Sequence, residues 1–463
     1  MSGAHVSMGV LRPAAPASSP AFSSVSRTPW SLLDLYRRLD RDPLGTFADL
    51  ARHGGDLVEF HAGPVRVLLL SGPSHIADVL VAQQRQFVKP RGPLVAARVL
   101  GAGLLTTEGA IWRRSRRLIQ PAFHRQVVAG MDGAIVAAAL HHIRAWHPGE
   151  MRDVADDMSA LSFAIAAENL FGADVEAVHP DLLKNLARAM RHAHRRAKAI
   201  VRWPGWLPTP DNRSFMLAVR QLDAAVTDII AQRAPGGAPR HDVLAALMAA
   251  VDADGWPLTP QELRDHTATL LLAGHETTAT TLSWLWHLLG THPEVRARLE
   301  QELDQVLDGA RPTAADVDPR RLPYLNAVIA EVLRLYPPVW VMARRAIAPV
   351  ALGAHTYPAG TWTIMSPWVV HRDERLYPEA GAFRPERWLD LSHGRQPPLA
   401  YFPFGAGPRM CIGKPFALTE IALVTAVIAQ RFRCEPAAPG PVAVEPLITL
   451  RPQHGIRVTI SAR

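Results

Sequence analysis

The sequence predicts a mainly α protein with small β-sheets, folded as a single large domain. Three observations carry this expectation. Helical periodicity dominates from Trp112 to about Gln232 and again from about 260 to 335. Strand-like apolar runs are confined to two short regions, 57–70 and about 341–366. No shift in composition marks a seam, although 463 residues would often divide into two or more domains. Hydrophobic residues make up 48% of the chain, enough for a large core, and 40 prolines supply breaks between elements.

Taken in order, residues 1–25 are rich in Ala, Ser and Pro and read as a disordered N-terminal tail, with the folded domain over 26–463. The tail has no 18-residue apolar run, and no compact apolar core after a basic start. No membrane anchor and no secretory signal are therefore expected, and the protein is placed in the cytoplasm. Helical patterning begins near Trp30–Tyr36. Leu57–Phe60 and Val65–Leu70, joined by Ala62-Gly63-Pro64, read as a hairpin. Residues 74–83 read as helix and 89–109 as an irregular stretch. Trp203–Pro210 is a rigid loop between helices, and 234–239 a surface linker.

The longest helix is expected over about 260–289. Thr259 is its cap, Pro260 its first residue, and Glu262 stands three after the cap. Gly290 and Pro293 mark its end. At 1.5 Å per residue it spans roughly 45 Å, enough to cross a domain. Helices over 293–308 and 322–335 follow, then the strands, then a loop-rich segment from His371.

Charge and cysteine content narrow the function classes. Net charge is +8. The arginines are scattered, with no basic tail or low-complexity tract, so no nucleic-acid partner is expected. A basic face toward an acidic protein partner fits better. Two cysteines exclude a disulfide scaffold and favour a reducing compartment.

One of them, Cys411, is elaborately housed in Phe404-Gly-Ala-Gly-Pro-Arg-Met-Cys-Ile-Gly413. A thiolate ligand has to be deprotonated and kept so, which backbone N–H groups and a helix N-terminus both favour. Ile412 to Val424 reads as a buried helix with Pro415 in its first turn, so Cys411 falls at its positive end. Gly405, Gly407 and Gly413 permit tight angles and close approach to a flat cofactor. Phe404 can shield the sulfur, and Arg409 can pair with a carboxylate. Zinc is disfavoured, since no second cysteine or paired histidine lies at ligand spacing. Cys434 has no such frame and reads as a structural thiol.

The long helix carries Ala273-Gly-His-Glu-Thr-Thr278. Leu270, Ala273 and Thr277 share a face by their spacing. Ala273 and Gly274 are small enough to leave room for a ligand, and Thr277 can bond back to the Ala273 carbonyl and open the helix. Glu276 is costly in an apolar helix; it can relay protons, or simply pair with an arginine. Glu331-Val-Leu-Arg334 sets opposite charges at i,i+3 among apolar neighbours, where burial makes pairing obligatory.

The loop around Cys411 resembles, position for position, the haem-binding loop of the cytochrome P-450 family. Ala273–Thr278 is similar to the family's oxygen-activation motif, and Glu331–Arg334 to its Glu-x-x-Arg motif, with Arg387 of Phe383-Arg-Pro-Glu-Arg-Trp388 as third member. Trp388 stands where many members have Phe. Trp112-Arg-Arg-Ser-Arg116 looks like the Trp-x-x-x-Arg helix. The resemblance covers about residues 30–460, with the motifs in the family's order.

The resemblance implies haem b with iron held axially by the Cys411 thiolate. Trp112, Arg116 and Arg409 are then propionate partners, joined by Arg344, for which Arg345 is a rival. Phe404, Gly413 and Ala273 border the cofactor, and Glu276 and Thr277 serve proton delivery. Glu331, Arg334 and Arg387 hold the cysteine loop. The implied activity is a monooxygenase that inserts one atom of O2 into a hydrophobic small molecule by hydroxylation or epoxidation. Val339–Met342, the 89–108 stretch and Trp203–Pro210 are expected to line or gate its pocket. About fifty residues follow Cys411, so electrons are expected from a separate ferredoxin or flavodoxin-type partner with an NAD(P)H-dependent reductase. A monomer is expected. The competing functions are a haem-thiolate peroxygenase or isomerase, and a non-enzymatic haem sensor.

Overall fold

The computed structural model describes residues 26–90, 97, 99–172, 181–198, 207, 209–233, 242–389 and 396–463. The expected tail at 1–25, the linker at 234–239 and most of the Trp203–Pro210 loop lie outside them, as do 91–96 and 98.

The chain opens with β1 (Ser26–Arg27), α1 (Leu32–Arg41) and α2 (Pro43–Gly54). Each helix starts on a side-chain cap: Ser31 accepts the Asp34 N–H, and Asp42 accepts the Gly45 N–H. The hairpin follows as β2 (Leu57–Ala62) and β3 (Val65–Leu70), paired from Leu57 opposite Leu70 to Ala62 opposite Val65. Leu68 and Leu70 enter one apolar cluster, while Val67 enters another with Leu69. Burial on both faces is why this strand reads as an unbroken apolar run. The helix expected at 74–83 starts at Pro73 and widens into a π turn over Asp78–Ala82. Then come β4 (Phe87–Val88) and α3 (Gly109–Ile119).

The helical half is built from α4 (Asp132–His142), β5 (Met151–Asp153), α5 (Val154–Phe171), α6 (Leu182–Lys198), α7 (Pro210–Ala231) and α8 (Val243–Ala249). Among the described residues, one stretch, Arg125–Ala145, is long and apolar enough to cross a membrane. It is broken at Gly130 and Met131, and Ile135, Val136 and Ala139 point into the core.

At the centre lies α9 (Pro260–Thr291), 32 residues or roughly 48 Å. Its capping box forms as expected: Thr259 accepts the Glu262 N–H while Glu262 accepts the Thr259 N–H. Its end does not fall at Gly290. The helix continues to Thr291, and Gly290 is small because the Cys434 carbonyl packs against it: a Cβ there would lie 2.5 Å from that oxygen.

α10 (Pro293–Leu307) and α11 (Pro323–Leu335) lead to β6 (Met342–Ala346), β7 (Val350–Leu352), β8 (His355–Tyr357) and β9 (Trp362–Met365). The larger sheet has the order β1-β2-β3-β9-β6-β4. After α12 (Lys414–Ala429) come β10 (Phe432–Pro436), β11 (Val444–Pro446), β12 (Leu450–Pro452) and β13 (Arg457–Ala462). β13 lies between β10 and β5, so the end of the chain is stitched to its middle. One large apolar core joins α9, α5, α11 and α12. The result is a single, mainly helical domain with small sheets at its margins.

Candidate active site

Cys411 sits three residues before α12, at its N-terminal end, where the Gly413 and Lys414 N–H groups act on the sulfur. Its N–H donates to the Phe404 carbonyl at 2.9 Å, which closes the loop into a ring around the sulfur. Gly405 and Gly407 take φ of 68° and 64°, the left-handed region that glycine enters without strain. A Cβ on Gly407 would also collide with the Leu80 carbonyl. Gly413 differs from the expectation: its φ is −81°, ordinary for any residue, and a Cβ there would meet only Phe123, at 3.9 Å. What it leaves is space beside the sulfur. Cys411 lies deep among protein atoms, yet its surface is open, so it borders an internal cleft. Burial pushes its thiol up, while the N–H groups of Gly413 and Lys414 and the charge of Arg116 pull it back.

Around this loop the structure gathers cations. The Arg409 guanidinium lies 3.8 Å over the Trp112 ring, donates to the Thr107 carbonyl at 3.2 Å and pairs with Glu108. Arg116 donates to the Met410 carbonyl at 2.9 Å, directly beside Cys411. Arg344 is drawn into the same field, whereas its neighbour Arg345 faces the other side of β6 by strand alternation. Among the described residues, Arg344 finds only the carbonyl of its neighbour Ala343, at 2.8 Å. Burial lowers Arg344, and burial with the repulsion of Arg344 and Arg116 lowers Arg409 to about 10. Lys89 belongs to the cluster too, lowered to about 8 by burial and by Arg409. Among the described residues, Lys89, Arg344 and Arg409 thus share one carboxylate, Glu108, and Arg116 adds its charge beside Arg409.

On α9, Ala273, Gly274 and Thr277 are half-buried while their neighbours are buried. Gly274 does not make room for a ligand: a Cβ there would press on Leu170 and Ala166 of α5, so its smallness serves helix packing. Ala273 and Thr277, one turn apart, remain as the open face. Thr277 bonds back to the Ala273 carbonyl at 2.9 Å, but Thr278, Thr280, Thr281 and Ser283 bond back in the same way, and the helix is continuous. Openness, not the back-bond, distinguishes Thr277. Glu276 turns the other way. It is clamped by Arg451 of β12 at 2.6 Å and by the hydroxyl of Thr449, which lies in the turn just before that strand.

A sequence model described as Cytochrome P450 matches residues 27–459. The chain belongs to the cytochrome P450 family. It is 37% identical over 441 residues to cyclooctat-9-en-7-ol 5-monooxygenase of Streptomyces melanosporofaciens, covering 93% of this chain and 95% of that protein. Pentalenene oxygenase of Streptomyces avermitilis is 33% identical over 432 residues, 91% of this chain and 94% of the relative. A plant relative, Protein LUTEIN DEFICIENT 5 of Arabidopsis thaliana, is 30% identical and covers 88% of this chain. This P450 is a monooxygenase, an oxidoreductase that incorporates molecular oxygen.

The residues present fit the haem that the family uses. A flat dianionic group needs cations in excess of the protein's own carboxylates, and the Lys89–Arg116–Arg344–Arg409 cluster has that excess. An axial sulfur needs open space on one side, which Cys411 and Gly413 provide.

Behind the loop, Glu331 and Arg334 form the pair expected of this P450. Both are fully buried and joined by two bonds of 2.8 Å. Arg387 donates to Glu331 at 2.9 Å, and the Arg384 N–H donates at 3.0 Å. Trp388 is not a passive substitute for Phe, because its indole N–H donates to Glu331 at 2.9 Å. Arg334 continues to the carbonyls of His371 and Ala380, each at 2.7 Å. The His371 ring then accepts the Phe402 N–H at 3.0 Å, two residues before Phe404. Two bonds therefore connect the buried pair to the root of the cysteine loop.

Sequence reasoning missed Lys89, Glu108 and the partners of Glu276. It also missed His275, whose Nε2 lies 3.1 Å from the Ser159 hydroxyl and which burial lowers to about 4. The 89–108 stretch was expected near the pocket, but no local signal singles out its two ends. Arg451 carried no signal at all, being 175 residues from its partner.

Proposed function

We propose that this P450 binds haem b through Cys411 and inserts one oxygen atom from O2 into a hydrophobic, terpenoid-type small molecule. The observation that carries the reading is the open Cys411 beside a surplus of half-buried cations. Bound there, a haem-thiolate would supply oxygen binding and O–O cleavage, which an axial thiolate favours.

The chain's own groups do the rest. Arg116, Arg344 and Arg409, with the Trp112 N–H, would hold the propionates. Phe404 fixes the Cys411 backbone through its carbonyl, and its ring would shield the sulfur. Ala273, small and half-buried on α9, would leave width for oxygen. The Thr277 hydroxyl gives its proton to the Ala273 carbonyl, which orients its lone pairs toward the cleft as an acceptor. Glu276 sits behind it against Arg451, a half-buried residue that opens toward solvent, so a proton can pass inward by way of this carboxylate.

The names of two relatives, cyclooctat-9-en-7-ol 5-monooxygenase and pentalenene oxygenase, describe oxidation of carbocyclic skeletons, which favours that substrate class over a fatty acid. The reading includes a cytoplasmic monomer served by a ferredoxin or flavodoxin-type partner and an NAD(P)H-dependent reductase. Reduced protein under carbon monoxide should give the difference band of a thiolate haem. A purified Cys411→Ser protein that keeps the band would refute the ligand assignment. Carbocyclic terpenoids that shift the haem spin state should be oxidised with NADPH and redox partners; turnover with hydrogen peroxide alone at equal rate would favour a peroxygenase.

A further inference from the structure

Glu108 is the one group in the cation cluster that a propionate site does not call for. It occupies the cap position of α3, where the shorter Asp, Asn, Ser or Thr would commonly accept an N–H of the helix. Its carboxylate makes no such bond. It turns away and takes three partners from elsewhere. Oε1 accepts the Lys89 backbone N–H at 3.0 Å and lies 3.8 Å from Lys89 Nζ. Oε2 pairs with Arg409 Nη2. The same Arg409 stacks on Trp112 and bonds to the Thr107 carbonyl, the residue before Glu108. Arg409 is therefore held on three sides, and one of those is a negative charge. Among the described residues, no second carboxylate acts on Lys89, Arg344 and Arg409.

A local cap would leave that charge at the helix end. Placed here, it anchors Arg409 in one orientation and offsets one of four positive charges beside the cofactor. Charge at a haem edge acts on the iron as well as on the propionates. A fixed negative charge stabilises the oxidised, more positive state, and neutralising it favours reduction.

We propose that Glu108 is a positioning residue of the cofactor edge, which orders Arg409 over Trp112 and sets the haem reduction potential through its charge. The inference rests on the haem-thiolate reading. The test is a potentiometric titration of the haem-loaded full chain at pH 7, with wild type, Glu108→Gln, Glu108→Asp, Lys89→Gln and the Glu108→Gln/Lys89→Gln double variant. Wild-type protein that binds no haem, or gives no thiolate carbon monoxide band, defeats the underlying reading rather than this proposal.

Given haem loading, Glu108→Gln should shift the one-electron equilibrium roughly tenfold toward reduction, which is ~59 mV positive. Glu108→Asp, which keeps the charge, should restore most of that shift. Lys89→Gln should move the potential negative, and the double variant should return close to wild type. A Glu108→Gln potential within twofold of the wild-type equilibrium, or a Glu108→Asp shift as large as that of Glu108→Gln, would overturn the proposal. If Glu108→Gln does not fold, Lys89→Gln alone decides: an unchanged or positive shift rejects the charge effect.

Discussion

Two clusters of arginine and glutamate flank the cysteine loop, and they are built to opposite plans. Around Glu331, every donor of Arg334 is answered. Two side-chain cations and an indole N–H converge on one carboxylate, and the remaining guanidinium protons go to backbone carbonyls. Around Arg409, cations outnumber the single carboxylate and repel one another. The first cluster is complete within the protein, as a structural network has to be when it is buried. The second carries surplus charge, which is costly unless a ligand takes it up. Saturation of the guanidinium donors thus separates a fastening from a binding site, even though both use the same residue types.

Removing a partner should hurt the closed cluster most. Glu331→Ala leaves Arg334 buried without an anion, and unfolding free energy should fall by about 3–5 kcal/mol, read from denaturant titration. The unsaturated cluster predicts a different outcome at Arg409. Arg409→Gln should weaken haem binding by about 2 kcal/mol, measured by haem transfer to an acceptor apoprotein. It should barely change the stability of the haem-free chain, because it relieves repulsion. A large loss of apoprotein stability would erase the contrast.

Acid probes the closed cluster through His371. Burial holds it at about 3 and His275 at about 4, both below the ordinary 6.5. The unfolded chain therefore binds protons that the native state refuses. Stability should be full above 6.5 and fall as pH drops toward 4 and then 3, by up to about 1.4 kcal/mol per pH unit for each histidine. His371→Gln should flatten part of that slope in unfolding titrations at pH 4–6.5. The smallest effect belongs to Trp388→Phe. It removes one donor from Glu331 and should cost about 1 kcal/mol, detectable as a shifted urea midpoint with an unchanged slope.

The fastening was legible in sequence because its parts are local or carry strong spacing. Glu331 and Arg334 are one helical turn apart, and Thr259 and Glu262 announce their own helix start. The cysteine loop is a contiguous run, so its glycines and sulfur are read together. The binding cluster was only half legible. Trp112, Arg116 and Arg409 stand in recognisable patterns, but Glu108 meets Arg409 across 301 residues and Lys89 across 19. Nothing in local periodicity says where a side chain turns once it declines to cap its own helix. Small residues misled for a related reason. Gly274 and Gly290 look like ligand space and a helix stop, yet each is small because another element packs against it: α5 on one, β10 on the other. Sequence shows that a position is small, while packing decides what the smallness is for.

The clamp on Glu276 has a consequence for how the protein is made. Its partners, Thr449 and Arg451, are 173 and 175 residues further along the chain. At about 5–20 residues per second, Glu276 is synthesised roughly 9–35 s before Arg451. During that time its carboxylate lacks this cation, and for most of it the cysteine loop does not yet exist. The nascent central helix therefore carries an unpaid charge that keeps it from settling into the core early. Completion of the catalytic interior is tied to a residue made long after α9, so a chain truncated just before β12 should be translated with its helices in place and still be unable to close around its cofactor.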